Sequence, residues 1–137
     1  MRLLRGFTLA VLVVLVGGGW YGGLSFVSDP SGAGLGMTTA ELPDWLDDFT
    51  LPGVALLVLF GLLPLVPIVL LLRGDVRGWP ATAAVGALLV LWMLGQVVAI
   101  GLSFPGMQLT FLAVGVLLTA LGSAGLRLDE FSARGRS

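Results

Sequence analysis

The chain contains no cysteine, no histidine and no lysine. Without cysteine there is no disulfide, no thiolate nucleophile and no iron–sulfur ligation. Without histidine the commonest general base is missing, as is the commonest nitrogen ligand for a metal or haem. Without lysine there is neither a Schiff base nor an amine nucleophile. Charge of either sign is also scarce. Charged residues make up 11% of the chain and hydrophobic ones 57%, whereas about a quarter of a soluble domain is charged. That little polar surface cannot keep such a chain dispersed in water. The net charge of −1 gives no bulk attraction to nucleic acid.

What the chain has instead is long apolar runs: Phe7–Leu24, Leu51–Leu72, Ala81–Leu102 and Met107–Leu126, none holding Asp, Glu, Lys or Arg. A bilayer core of about 30 Å takes roughly 20 residues of helix to cross. The sequence therefore predicts an all-α integral membrane protein. The expected form is a four-helix up-down bundle with spans at about 7–24, 51–72, 81–102 and 107–126, an outer loop at 25–50, and one transmembrane domain over residues 1–137. Short links at 73–80 and 103–106 force consecutive spans to lie side by side.

Every base is an arginine, and all of them fall on one side of the spans: Arg2 and Arg5, then Arg73 and Arg77, then Arg127, Arg134 and Arg136. Positive charge stays on the cytoplasmic side during insertion. This predicts a multi-pass protein of the inner (plasma) membrane with both termini cytoplasmic and loop 25–50 outside. The abundance of Ala, Gly, Leu and Val suggests a GC-rich bacterial or archaeal genome. The first run has the basic start and apolar core of a secretory signal. Its end, Gly17-Gly18-Gly19-Trp20-Tyr21-Gly22-Gly23, lacks a clear small-x-small cleavage site, so it is expected to be retained as a span. Trp20 and Tyr21 suit an interfacial aromatic belt.

Helices in lipid associate through close packing and a few hydrogen bonds. Small residues at four-residue spacing mark the expected seams: Gly18 and Gly22, Gly19 and Gly23, Gly95 and Ala99, Gly115 and Thr119, Ala120 and Ala124. Packing inside the bundle is preferred to a dimer seam. The second span carries Gly61, Pro64 and Pro67. Each proline removes a helix donor and presses on the carbonyl four residues earlier, those of Phe60 and Leu63. A bend near 60–67 is expected. The simpler reading is that it fits the neighbours; the sharper one is a hinge or a small wet cavity. Gln96 is the strongly polar amide deep in a span. It should point into the bundle or an interface, with the freed carbonyls of the second span as candidate partners. Its two readings are a structural clamp, which is preferred, and a ligand contact. Thr82, Thr119 and Ser123 can bond back to their own helices.

The loop opens at Asp29 with an expected Asx-type turn. Thr38 and Glu41 form a candidate capping box, which Pro43 opposes. Leu42, Trp45, Leu46 and Phe49 recur at helical spacing, with Glu41, Asp44, Asp47 and Asp48 on the other face. This predicts a short amphipathic helical segment at the interface or across the bundle mouth. The acids lack the ligand order of a calcium loop and read as a solvated face; no metal and no cofactor are expected. Thr50 is the expected cap of the second span.

Asp29-Pro30-Ser31-Gly32, Leu35-Gly36-Met37, Leu42, Asp48-Phe49 and Leu51-Pro52-Gly53 form one pattern. With Trp92, Gln96, Ile100-Gly101 and Gln108, it resembles uncharacterised small bacterial four-span integral membrane proteins. The resemblance covers nearly the whole chain. It implies the four-span fold and no activity, and would make the Asp29 turn and Gln96 shared features. The two prolines of the second span depart from it.

Function narrows by elimination. No nucleophile–base pair can be assembled without Cys, His or Lys, so no enzyme is expected; a metal-assisted site on the outer carboxylates is the residual route. Ion-coupled transport normally needs a carboxylate inside the membrane, and the spans hold none. The leading expectation is a structural or accessory subunit of a membrane complex, or a homo-oligomer. The alternative is binding or passive transport of a lipid or small hydrophobic molecule. The candidate structural or ligand contacts are Gln96, Pro64, Pro67, Asp29, Trp45 and Asp48. The expected partners are the lipid bilayer and another membrane protein or second copy, with no nucleic acid.

Overall fold

The computed structural model describes residues 2–33, 40, 42, 44–101 and 105–136. It is built from α1 (Arg2–Ser28), α2 (Thr50–Leu56), a π-helical segment (Leu57–Leu62), α3 (Leu65–Leu72), α4 (Gly78–Ile100) and α5 (Pro105–Arg136). No strand occurs among the described residues. The segments α2, π and α3 together make one interrupted span. Four stretches are thus long and apolar enough to cross a membrane: Arg2–Ser28, Thr50–Leu72, Gly78–Ala99 and Gly106–Phe131. The protein is an all-α, four-helix membrane bundle. Each helix packs on its sequence neighbours, and α1 closes the ring on α5.

Two glycine seams hold the ring. On α1, Gly19 and Gly23 are the working pair: a Cβ on Gly19 would lie 2.5 Å from the Phe60 carbonyl carbon, and one on Gly23 would lie 2.9 Å from the Gly53 carbonyl oxygen. Gly18 and Gly22 meet only side chains, Phe111 and Leu56, at ordinary contact distance. Between α4 and α5, Gly86 packs on the Thr119 backbone, Gly115 on Val90, Gly122 on Ala83 and the Trp79 carbonyl, and Gly125 on the Trp79 ring. Backbones that approach this closely gain van der Waals contact that lipid cannot replace. Of the expected pairs, Gly115 and Thr119 do seal a seam. Gly95 and Ala99 do not: a Cβ on Gly95 would meet no atom within 4 Å. Ala120 and Ala124 are exposed. Gly86 and Gly122 were not among the expected pairs; Gly122 has leucines, Leu118 and Leu126, four residues to either side, so the spacing rule could not mark it.

The arginine-bearing end is tightly finished. Gly74 takes φ +72° after α3, with Asp75 N–H donating to Leu70 O (2.9 Å) and Gly74 N–H to Leu71 O (3.1 Å), a Schellman stop. Trp79 and Leu71 are each only 1% exposed there. Thr8, Thr82 and Thr119 donate to carbonyls of their own helices four residues back, at 2.7, 2.7 and 2.8 Å.

The second span is interrupted rather than simply bent. Leu63 N–H reaches Val58 O (3.1 Å), a π-type bond, and the Leu63 carbonyl that Pro67 would have orphaned accepts from Val66 N–H instead (3.1 Å). The Gly61 carbonyl accepts from Trp20 Nε1 at 3.1 Å. Trp20, not Gln96, is therefore the side chain that tends this stretch. This also corrects the aromatic belt. Because α1 runs on to Ser28, Trp20 sits beside the π segment, where its N–H satisfies a backbone carbonyl in place of water.

Candidate functional site

The loop end is built differently. α3 packs on α4, but α2, beyond the π segment, touches α4 at most marginally. The helices part there, and a groove of about 360 Å³ opens between them. Its floor is Trp92, Gln96 and Gly95 of α4 with Leu56 and Ala55 of the second span. Its lips are Leu51 and Leu91, 59% and 67% exposed, which sit on the lipid-facing surface of the bundle. Leu42, Trp45, Leu46 and Phe49 cover it from the loop.

The loop is pinned at both ends. Asp29 Oδ1 accepts from Ser31 Oγ (2.6 Å) and Ser31 N–H (3.3 Å), and Gly32 follows with φ +79°, the Asx turn that the residues predict. Phe49 N–H donates to Pro30 O (2.9 Å), and its ring stacks on Phe26 at 4.6 Å with planes 9° apart. Loop entry and exit thus meet over the end of α1. Asp48 Oδ1 accepts from Thr50 N–H (3.0 Å). The carboxylate caps the second span in place of the Thr50 hydroxyl, because Thr50 is already the first helical residue.

The expected amphipathic helix is not seen among the described residues: 44–49 hold turns and bends around an irregular Leu46, with no helical residue. Asp48 bonds forward to the backbone of Thr50, and this kind of local side-chain bonding competes with the helical ladder. The apolar set is nonetheless used as a set, since Leu42, Trp45, Leu46 and Phe49 all face the groove. The Thr38–Glu41 capping box and Pro43 lie outside the described residues.

Trp92 Nε1 and Gln96 Oε1, on two residues that line the groove, are sealed from solvent and have no hydrogen-bond partner among the described residues. The indole offers only a donor and the amide oxygen only an acceptor. They lie four residues apart on α4 and hence on one face, with Cβ atoms about 5–6 Å apart. Trp92 is held by an edge contact with Phe60 of the π segment, 6.1 Å between centroids at 69°. The π segment therefore serves the groove indirectly: it turns Phe60 inward (1% exposed) and Phe60 fixes Trp92. No family model, curated protein or solved structure matches the chain.

Of the sequence-nominated residues, Gln96 and Trp45 line the groove. Pro64 and Pro67 are fully buried beyond the π segment. Asp29 and Asp48 shape the loop that covers the groove. Asp44 and Asp47 are exposed. Two residues went unnominated. Trp92 belonged to the pattern of the resemblance but was not named as a contact; its i, i+4 relation to Gln96 was the available signal. Gln108, 1% exposed, donates from Nε2 to Gly101 O (3.1 Å) and ties down the end of α4, where Gly101 has φ +68°.

Proposed function

We propose that this small integral membrane protein binds a lipid or similar hydrophobic molecule in the groove between α2 and α4. It is proposed to sit in a plasma membrane with the arginine end cytoplasmic, so that the groove opens toward the outer leaflet. One observation carries the reading: an apolar groove, open sideways to lipid between Leu51 and Leu91 and walled by Trp92 and Gln96. Its volume of about 360 Å³ lies at the lower end of small-molecule sites, roughly 300–1,000 Å³. The covering loop and the absence of catalytic side chains suit holding or passing a molecule rather than transforming it.

Native mass spectrometry of the full chain in mild detergent tests this. A reproducible hydrophobic species is expected, lost in Gln96→Leu with the melting temperature unchanged. Ligand-free protein, with Gln96→Leu less stable, would make Gln96 a clamp and end the proposal. A second reading, an accessory subunit or homo-oligomer, draws on α1. Gly6 and Gly17 have no atom within 4 Å of a Cβ position and leave a smooth outward face. Crosslinking in native membranes addresses it: a specific neighbour joined through α1 supports it, and none removes it.

A further inference from the structure

We infer that the arginine end carries a seat for a negatively charged phospholipid on the outward face of α5, where Arg127 and Ser123 hold its head group. The seat is independent of the groove, which lies at the other end of the bundle. The first argument is charge. All seven bases and three of the acids (Asp75, Asp129 and Glu130) belong to this end, whereas the loop end has five acids and no base. Asp75 is taken by Arg77 at 2.7 Å. Arg2, Arg5, Arg73 and Arg127 form no ion pair among the described residues. The residues of this end whose side chains are not described, 1 and 132–137, include Arg134 and Arg136 and no acidic side chain. These charges are left to be matched from outside the chain, and at this depth phospholipid head groups are the anions at hand.

The second argument is shape. A hollow of about 430 Å³ is lined by Ala120, Ser123, Ala124, Arg127 and Leu128, all exposed and all on α5. Arg127 is the first charge after the apolar run and stands at the interfacial rim of the hollow. Ser123 lies four residues before it on the same face, about 6 Å deeper. That is about the thickness of one interfacial layer, given roughly 40–45 Å of bilayer around a core of about 30 Å. A guanidinium level with the phosphate and a hydroxyl level with the glycerol esters therefore match one head group, and Ala120 and Ala124 leave room for its chain. The third argument is the Ser123 hydroxyl. Thr8, Thr82, Thr110 and Thr119 each donate to the carbonyl four residues back. Ser123, expected to do the same, makes no hydrogen bond among the described residues and keeps its donor for an ester or phosphate oxygen. The fourth is Arg5. Gly18 of α1 rests on the Phe111 ring of the antiparallel α5, and Arg5 and Ala124 each lie about 20 Å along their helices from that contact. A second cation, its Nε sealed and without a partner among the described residues, thus stands at the level of the hollow. Glu130 follows Arg127 on α5 but neither lines the hollow nor pairs with it.

The test titrates the full chain in mild detergent with dioleoylphosphatidylglycerol and with dioleoylphosphatidylcholine, read by native mass spectrometry. The two lipids share their chains and differ in net charge. Phosphatidylglycerol should bind about tenfold more tightly, the size expected for one hydrogen bond to a charged group, and Arg127→Gln should remove that preference. Arg77→Gln deletes the same charge from a base already matched by Asp75 and should change binding by less than about twofold. Ala124→Leu fills the hollow and should weaken phosphatidylglycerol binding with every charge in place. All three positions are exposed, so melting temperatures should not move. Equal affinity for the two lipids would overturn the charge assignment. Equal losses in Arg127→Gln and Arg77→Gln would replace the seat by a diffuse surface attraction, and unaltered binding in Ala124→Leu would remove the hollow from it. Displacement by millimolar glycerol 3-phosphate would give the site to a soluble anion instead of a lipid.

Discussion

The two ends of α4 make opposite use of the same helix. At its start, Trp79, Ala83 and Gly86 lie against Gly122, Gly125 and Thr119 so closely that added methyl groups would strike backbone or ring. Toward its end, Gly95 faces open space and Trp92 and Gln96 bury polar atoms with no partner among the described residues. Glycine is present at both ends, so the difference is not composition. At the closed end each glycine meets a backbone or the Trp79 ring across the seam. At the open end the opposing span has been displaced by its own π segment, and the glycine only removes bulk from a cavity wall. One end is packed shut; the other leaves a groove.

The largest expected effect breaks the closed end. A Cβ on Gly122 would stand 2.6 Å from the Trp79 carbonyl oxygen and closer still to Ala83 N. Neither is a flexible side chain, so Gly122→Ala must separate the helices, at about 1–3 kcal/mol for overpacking. Gly95→Ala, on the same helix pair, should be neutral or gain up to about 1 kcal/mol of helix propensity. Thermal unfolding in one detergent compares them. Equal losses in both would mean that the two ends are not packed differently.

That contrast also separates what the residues announced from what they hid. The four spans, the small-residue seam at Gly19 and Gly23, and the Asx turn at Asp29 follow from local rules that lipid enforces. In lipid every backbone group must bond internally and helices meet through small residues. The disruption near Pro64 was legible for the same reason. Its form was not: which carbonyls are rescued, and by whom, depends on Trp20 reaching across to Gly61, and no spacing within one helix encodes that. The groove was legible only as fragments. Gln96 stood out as a polar residue in an apolar run, and Leu42, Trp45, Leu46 and Phe49 as one face. Placing them on opposite walls of one cavity required knowing that α2 leaves α4.

A smaller effect probes how the open end is held apart. Trp20→Phe keeps most of the ring over Gly61 and deletes the 3.1 Å bond to its carbonyl. Hydrogen bonds between membrane helices average about 0.6 kcal/mol, so a fall in stability of about that size is expected. The π segment should then be freer to relax, loosening Phe60 on Trp92. Amide hydrogen exchange should rise at residues 57–63 and not in the Gly115–Gly125 stretch of α5. A uniform rise would show that the interruption is not an independent element.

The smallest effect returns to the closed end and asks whether charge contributes there. Asp75 pairs with Arg77 at 2.7 Å in the turn between α3 and α4. The Arg77 side chain, and then its backbone N–H, hold the carboxyl down from 3.8 to about 2. A carboxyl lowered by folding adds stability that is present above 3.8 and lost as pH falls through about 2. The pair is open to water, where such bridges contribute little. Melting temperatures of the native chain and Asp75→Asn should therefore differ slightly at neutral pH and converge across that acid window. The neutral-pH difference should be far below that of Gly122→Ala. A loss as large as that of Gly122→Ala would shift the source of the closed end's stability from apposed backbones to the ion pair at its rim.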